Sequence, residues 1–255
     1  MQPTPDVSGL RIGVYDDDGF VRATPAMRRA VHEAGARLTA AGAQVVPFAP
    51  PHQRELVELY LAAISSAALA TARRQFGTEP LSPSLKLMWR LGMTPIALLR
   101  VIAGGLRRVG EDRLARVINT AGRKSVDAFW RLTARRTELC SAVEDAWRMV
   151  ALDAVICPAS ATPAGPIDMA SDAGLIFSYL GRYNMLRMPA GVVPTTFVRA
   201  DETQMSVGQD RVDTRIAAIS AQSAGLPVAV QVLAPRWRDQ TALAVMSAVE
   251  TGLGI

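Results

Sequence analysis

Asp16-Asp17-Asp18 is the densest acidic run in these 255 residues, and three adjacent carboxylates offer oxygen ligands to a hard cation such as magnesium. No second acidic cluster stands near it in sequence, so a solvated turn is the better reading. His32 and His52 are the only histidines, and each lies among charged residues in a helical pattern, where an exposed position is expected. They form neither a His-x3-His pair nor a His-Glu-x-x-His motif. A Ser–His–Asp triad has no Gly-x-Ser-x-Gly elbow to start from. Cys157 ends an apolar run; it offers a nucleophile or, as the better reading, a small core residue. Ser65-Ser66 is the only serine pair, inside an alanine-rich helical run that suits two small packing residues. Neither a Gly-x-Gly-x-x-Gly turn nor a Walker loop is present, so no cofactor and no metal are expected.

The charge is more informative by place than by size. The formal net charge is +5, and the stretch from Lys86 to Arg116 carries that whole excess: Lys86, Arg90, Arg100, Arg107, Arg108, Arg113 and Arg116 against Glu111 and Asp112. Basic clusters serve nucleic acid or anionic membrane surfaces. Here Trp89 is the only aromatic residue and apolar residues are dense. That favours a membrane surface or a partner protein over a stacking platform for bases, and no nucleic acid is expected.

The elements that must position these residues are those of an α/β chain. Leu10–Tyr15 alternates like a strand, Thr24 and Pro25 open a helix that Gly42 closes, and Gln44–Phe48 is a second strand. This order predicts a parallel pair with a crossover helix. A helix is expected from His52 to about Arg74. Short apolar helices follow at Leu85–Leu91 and Ile96–Leu106, then one long helix from Asp112 to about Val150. Ala154–Cys157, Ala190–Pro194 and Val228–Leu233 read as core strands, Ser178–Leu186 and Asp239–Glu250 as helices. With 49% apolar and 20% charged residues, disorder is unlike this composition. The longest uncharged run, Ile216–Pro235, holds too many polar residues for a bilayer span. Cys140 and Cys157 give no disulfide framework, and Met1-Gln-Pro-Thr-Pro5 carries no leader pattern, so a cytoplasmic setting is expected.

Several segments, in order, resemble the C-terminal half of an amidase signature enzyme. They are Leu10–Tyr15, Thr24–Ala30, Ala40–Phe48, Leu152–Pro158, Tyr183–Pro194 and Gly225–Gln231. The combination is most similar to the fatty acid amide hydrolase branch and covers nearly the whole chain. The resemblance implies an incomplete mixed β-sheet flanked by helices, with a helical cap insert at about 81–116. It also implies a hydrolase of lipophilic amides whose lysine, bridging serine and nucleophilic serine need no histidine. Those groups belong to the N-terminal half of the family, in a Gly-Gly-Ser-Ser-Gly-Gly type loop that this sequence lacks. A complementary N-terminal half, in cis or in trans, is therefore the expected partner.

The same resemblance implies site residues. Gly174, Phe177 and Gly181 match the wall of the family's acyl channel, and Trp237 matches a tryptophan near it. Plain core packing is the alternative for Phe177 and Trp237. The two glycines replace bulkier residues of that branch. Leu85–Val109 falls where the branch carries a membrane-embedding cap. Trp89, Arg90, Leu91, Met93, Ile96, Leu99 and Arg100 are the expected membrane contacts, at the periphery of a bilayer. A lid packed on its own protein, or a homodimer contact, is the alternative. A non-enzymatic lipid-associating module, or a remnant of a truncated amidase, is the alternative for the whole chain.

Overall fold

Gly42, at φ +91°, is the stop that lets the chain double back after its first helix, because only glycine takes that backbone region without a Cβ penalty. It separates α1 (Pro25–Ala40) from β2 (Gln44–Pro47), which lies parallel to β1 (Arg11–Val14) as the β–α–β pattern predicts. The structure, a computed structural model, describes residues 6–67, 70–167, 175–176, 178–208 and 210–250. β3 (Ala154–Pro158) runs parallel to β1, while β5 (Pro227–Leu233) is antiparallel to both β3 and β4 (Ala190–Phe197). The result is an open five-stranded mixed sheet in the order β2-β1-β3-β5-β4, with β2 and β4 at its edges.

Helices cover the sheet. α1 and α10 (Asp239–Glu250) pack on one another and on the strands from one side; Gly191 of β4 faces Met246 of α10 there. The pairing register sets Cys157 opposite Gln231, and Gln231 opposite Val192, in a row that runs outward to the exposed edge residue Val192. α2 (Gln53–Ser65), α7 (Val126–Met149) and α8 (Ser178–Leu186) pack together. Every residue of β3 is buried, as a central strand demands.

Three expectations need correction. The helix expected from His52 to Arg74 is two, α2 and α3 (Ala70–Phe76), and His52 itself sits before α2 at φ 56°. The helix expected from Asp112 to Val150 is also two, α6 (Asp112–Thr120) and α7. Gly122, at φ +98°, breaks the path, and the Ser125 hydroxyl then accepts the Ala128 N–H to start α7. Thr24 precedes α1 in extended conformation, but its hydroxyl makes no cap bond; the Thr24 N–H is spent on the Ala161 carbonyl instead. A short 3-10 turn at Ala200–Glu202 and α9 (Arg211–Ser220), started by the Asp210 carboxylate on the Asp213 N–H, were not expected.

Candidate functional site

The Asp16–Asp18 run is not a solvated turn. Asp18 is buried, and its Oδ1 accepts the Phe20 and Val21 N–H groups at 2.8 and 2.7 Å. Its Oδ2 accepts the Ser178 hydroxyl at 2.9 Å and pairs with the buried Arg182 guanidinium, which lies 5.2 Å from the Tyr179 ring centre. Asp17 accepts the Gly19 N–H, and Asp16 takes Arg28 and His32. The three carboxylates therefore diverge, and among the described residues no three acidic, histidine or cysteine groups converge on a metal position. His32 and His52 are exposed, as read from the sequence.

Cys157 is the small core residue. It is fully buried, its Sγ lies 3.8 Å from Gln231 Oε1, and burial pushes its thiol up to about 12. The neighbouring Tyr15 and Tyr183 hydroxyls share a 2.7 Å hydrogen bond, and burial pushes both phenols upward. A thiol held neutral in this way is a poor nucleophile.

The two lysines are occupied or exposed. The Lys124 ammonium donates to the carbonyls of Thr120, Ala121 and Gly122, closing the C-terminal end of α6, and burial lowers its pKa. Its backbone N–H reaches the Ser66 carbonyl, so a lysine and the serine pair do come near one another. The Ser65 hydroxyl, however, donates back to the Ala62 carbonyl. This junction is a helix end held by a cation, in keeping with the packing role read for the serine pair. Lys86 is exposed on α4 (Pro83–Met93).

Of the three residues matched to a channel wall and the tryptophan matched near it, Gly174 and Phe177 lie outside the described residues. Gly181 lies on α8 against Tyr60 of α2, beside a cleft of about 290 Å³ lined by Val57, Leu61, Leu175 and Leu180. Trp237 is elsewhere. It follows β5 at φ 68°, is 92% exposed, and borders a separate concavity with Trp147, Met188 and Arg236. Core packing is therefore excluded for Trp237, and it shares no lining residue with the Gly181 cleft.

α4 and α5 (Ile96–Arg108) meet at Thr94-Pro95 with a bend of 115°. Pro95 sets this elbow: it lacks an N–H and disfavours helix at the residue before it. No single described helix is long and apolar enough to cross a membrane. Leu87, Met88, Trp89, Met93, Ile96, Leu98, Val101 and Ile102 are exposed, and Arg90, Arg100, Arg107 and Arg108 are exposed beside them. Leu91 is half-buried, while Leu99 is 1% exposed and turns inward, so Leu99 leaves the set of expected membrane contacts. It packs under the Gly122 turn, where a Cβ at 122 would meet Leu99 Cδ1 at 3.1 Å. The basic cluster is also smaller than its sequence count. Arg113 is bound to Asp210 and Asp213 of the α9 start, and Arg116 lies 3.8 Å from Glu58.

The sequence profile described as Amidase matches residues 3–243. The chain is 31% identical over 250 residues to "Fatty acid amide hydrolase 1" of Caenorhabditis elegans, covering 94% of this chain and 42% of that protein. It is 33% identical over 249 residues to "Fatty-acid amide hydrolase 1" of Sus scrofa, again covering 94% and 42%. Among solved structures, one titled "Fatty acid amide hydrolase" superposes with a TM-score of 0.75 at 20% identity, covering 100% of this chain and 42% of that one. The chain thus spans less than half the length of these relatives.

Proposed function

The chain belongs to the amidase family, as a C-terminal-like portion of an amidase signature enzyme, and from that premise we propose that it supplies the substrate side of an amide hydrolase. In this reading a complementary N-terminal half, in cis or in trans, carries the serine–serine–lysine chemistry. One observation carries it: the family match runs through nearly the whole chain, yet the Lys124 ammonium is spent on helix-end carbonyls and Lys86 stands on an exposed surface. The substrate class follows from the relatives' printed names: a lipophilic amide, cleaved by water into a carboxylic acid and an amine.

The α4–α5 elbow supports a peripheral membrane position, and a cytoplasmic setting is part of the same proposal. Apolar side chains would enter the headgroup boundary while the neighbouring arginines meet anionic lipid, each worth about 1 kcal/mol near such a surface. That surface also favours a second reading, a lipid-associating module with no reaction of its own.

Two measurements separate these readings. The pure chain should leave a fluorophosphonate serine probe unreacted. Fatty amide hydrolysis should appear only when an N-terminal half of a matching amidase is added. Stoichiometric labelling of the chain alone overturns the division of labour; absence of hydrolysis with every matching half favours the module.

A further inference from the structure

Pro235-Arg236-Trp237 leaves β5 at one end of the sheet, where Leu233 pairs with Val155 near the start of β3 and with Ala190 at the start of β4. The Gly181 cleft reaches toward the other end: its lining residue Ser178 bonds Asp18, beyond the close of β1. The concavity beside Trp237 is thus a separate site, of about 480 Å³. That is room enough for a small organic molecule.

Leu152 and Met188, both buried, supply apolar lining. Trp147 is 3% exposed, and its indole N–H is buried with no acceptor among the described residues. A donor left orphaned in a pocket wall is a place for an acceptor on a bound molecule. Trp237 borders the same space with its ring almost wholly in solvent, so its faces are free to stack.

The lining sets Arg148 and Arg236 against one carboxylate, Glu144. Glu144 holds Arg236 at 2.5 Å. Arg148 is the available cation. It meets Asp145 of its own helix at 2.7 Å, but both side chains are mostly exposed, and such a pair contributes little. Arg187, exposed and without a carboxylate partner among the described residues, precedes Met188. The negative end of α7 is blunted there: the Ala151 and Leu152 N–H groups bind the Arg148 and Trp147 carbonyls, and Arg11 takes that of Val150. A small surplus of positive charge suits a monoanion, and the open indole suits a flat ring.

We propose that this pocket binds a small aromatic carboxylate, its ring stacked on Trp237 and its carboxylate paired with Arg148. The site is independent of the amide-hydrolase reading, and neither stands or falls with the other.

Calorimetric titration of the full chain with naphthoate tests it, with naphthylmethanol as the same ring without charge and decanoate as the anion without a ring. Naphthoate should bind at one site, more tightly than either, and more weakly as salt rises. Trp237→Ala should weaken it by about fivefold or more, as loss of a stacking partner does, while Trp237→Phe keeps most of the affinity. Arg148→Gln should lower naphthoate affinity severalfold and leave naphthylmethanol unchanged. Both side chains are mostly exposed, so the variants keep the fold. No saturable binding of naphthoate overturns the proposal, as does binding that Trp237→Ala leaves untouched. Decanoate bound as tightly as naphthoate overturns it too, since the ring would then contribute nothing.

Discussion

Asp18, just beyond β1, and Arg182, on α8, form an ion pair with neither side chain more than 1% exposed. Residues far apart in the chain thus meet where water does not reach. The pair is sustained by the full set of acceptor bonds on Asp18, from two backbone N–H groups, the Ser178 hydroxyl and the guanidinium.

Removing one partner should therefore hurt more than removing both. Arg182→Met is expected to cost about 3–5 kcal/mol, because it leaves the Asp18 charge buried without its cation. The double variant Asp18→Asn, Arg182→Met should cost clearly less than the two single changes added together. Urea unfolding curves measure all three, and simple additivity would show that the two groups are not coupled.

Acid should loosen the fold in a defined window. The hydrogen bond from Arg29 holds Glu202 below its ordinary 4.5 against the opposing effect of burial. Burial alone would raise Asp210, but Arg113 and the α9 backbone hold it below its ordinary 3.8. Both groups bind protons less readily folded than unfolded, so their contribution is present above those ordinary values and lost as pH falls through the depressed ones. The melting temperature should be level above about pH 5 and fall below about pH 4, with a shallower fall in Arg29→Met. An identical acid slope in Arg29→Met would remove Glu202 from the account.

The thiols offer a check on the buried row across the sheet. With Cys157 at about 12 and Cys140 also raised by burial, neither should react with a disulfide reagent in the native protein near pH 8. Both should react after denaturation. Rapid native labelling of Cys157 would mean that the strand row opens to solvent.

The elbow between α4 and α5 predicts charge-dependent membrane contact. Flotation with anionic liposomes should fall steeply when Arg90, Arg100, Arg107 and Arg108 are all changed to Glu, at severalfold or more per charge. Flotation of the variant equal to that of the parent chain would argue against the electrostatic part. Leu99→Ala belongs to a different class: it should lower stability by about 2–5 kcal/mol, as a buried packing residue does.

Periodicity made the strands and most helices legible, because the sheet's buried faces impose their pattern directly on Arg11–Val14, Ala154–Pro158 and Pro227–Leu233. It erred where apolar spacing ran on through a break. The glycine and serine at 122 and 125 are turn and cap signals that the surrounding pattern masked. The buried role of Asp18 was invisible, since its partner lies more than a hundred residues away and one carboxylate in a run of three looks like its neighbours. Gly181 was singled out by resemblance, but its opposite number, Tyr60, was missed. An aromatic at helical spacing reads as ordinary core, and only the meeting of α2 and α8 reveals what it fills.

Trp237 combines a left-handed backbone with a ring almost wholly in solvent. A non-glycine residue in that conformation costs about 1 kcal/mol or more, and so exposed a ring recovers little of it by packing. Trp237→Gly should therefore raise the unfolding free energy by about 1 kcal/mol in denaturant titration. An indole kept under tension at the rim, giving nothing back to its own domain, makes this corner the natural first choice for a spectroscopic reporter: its emission is free to change with whatever settles over it.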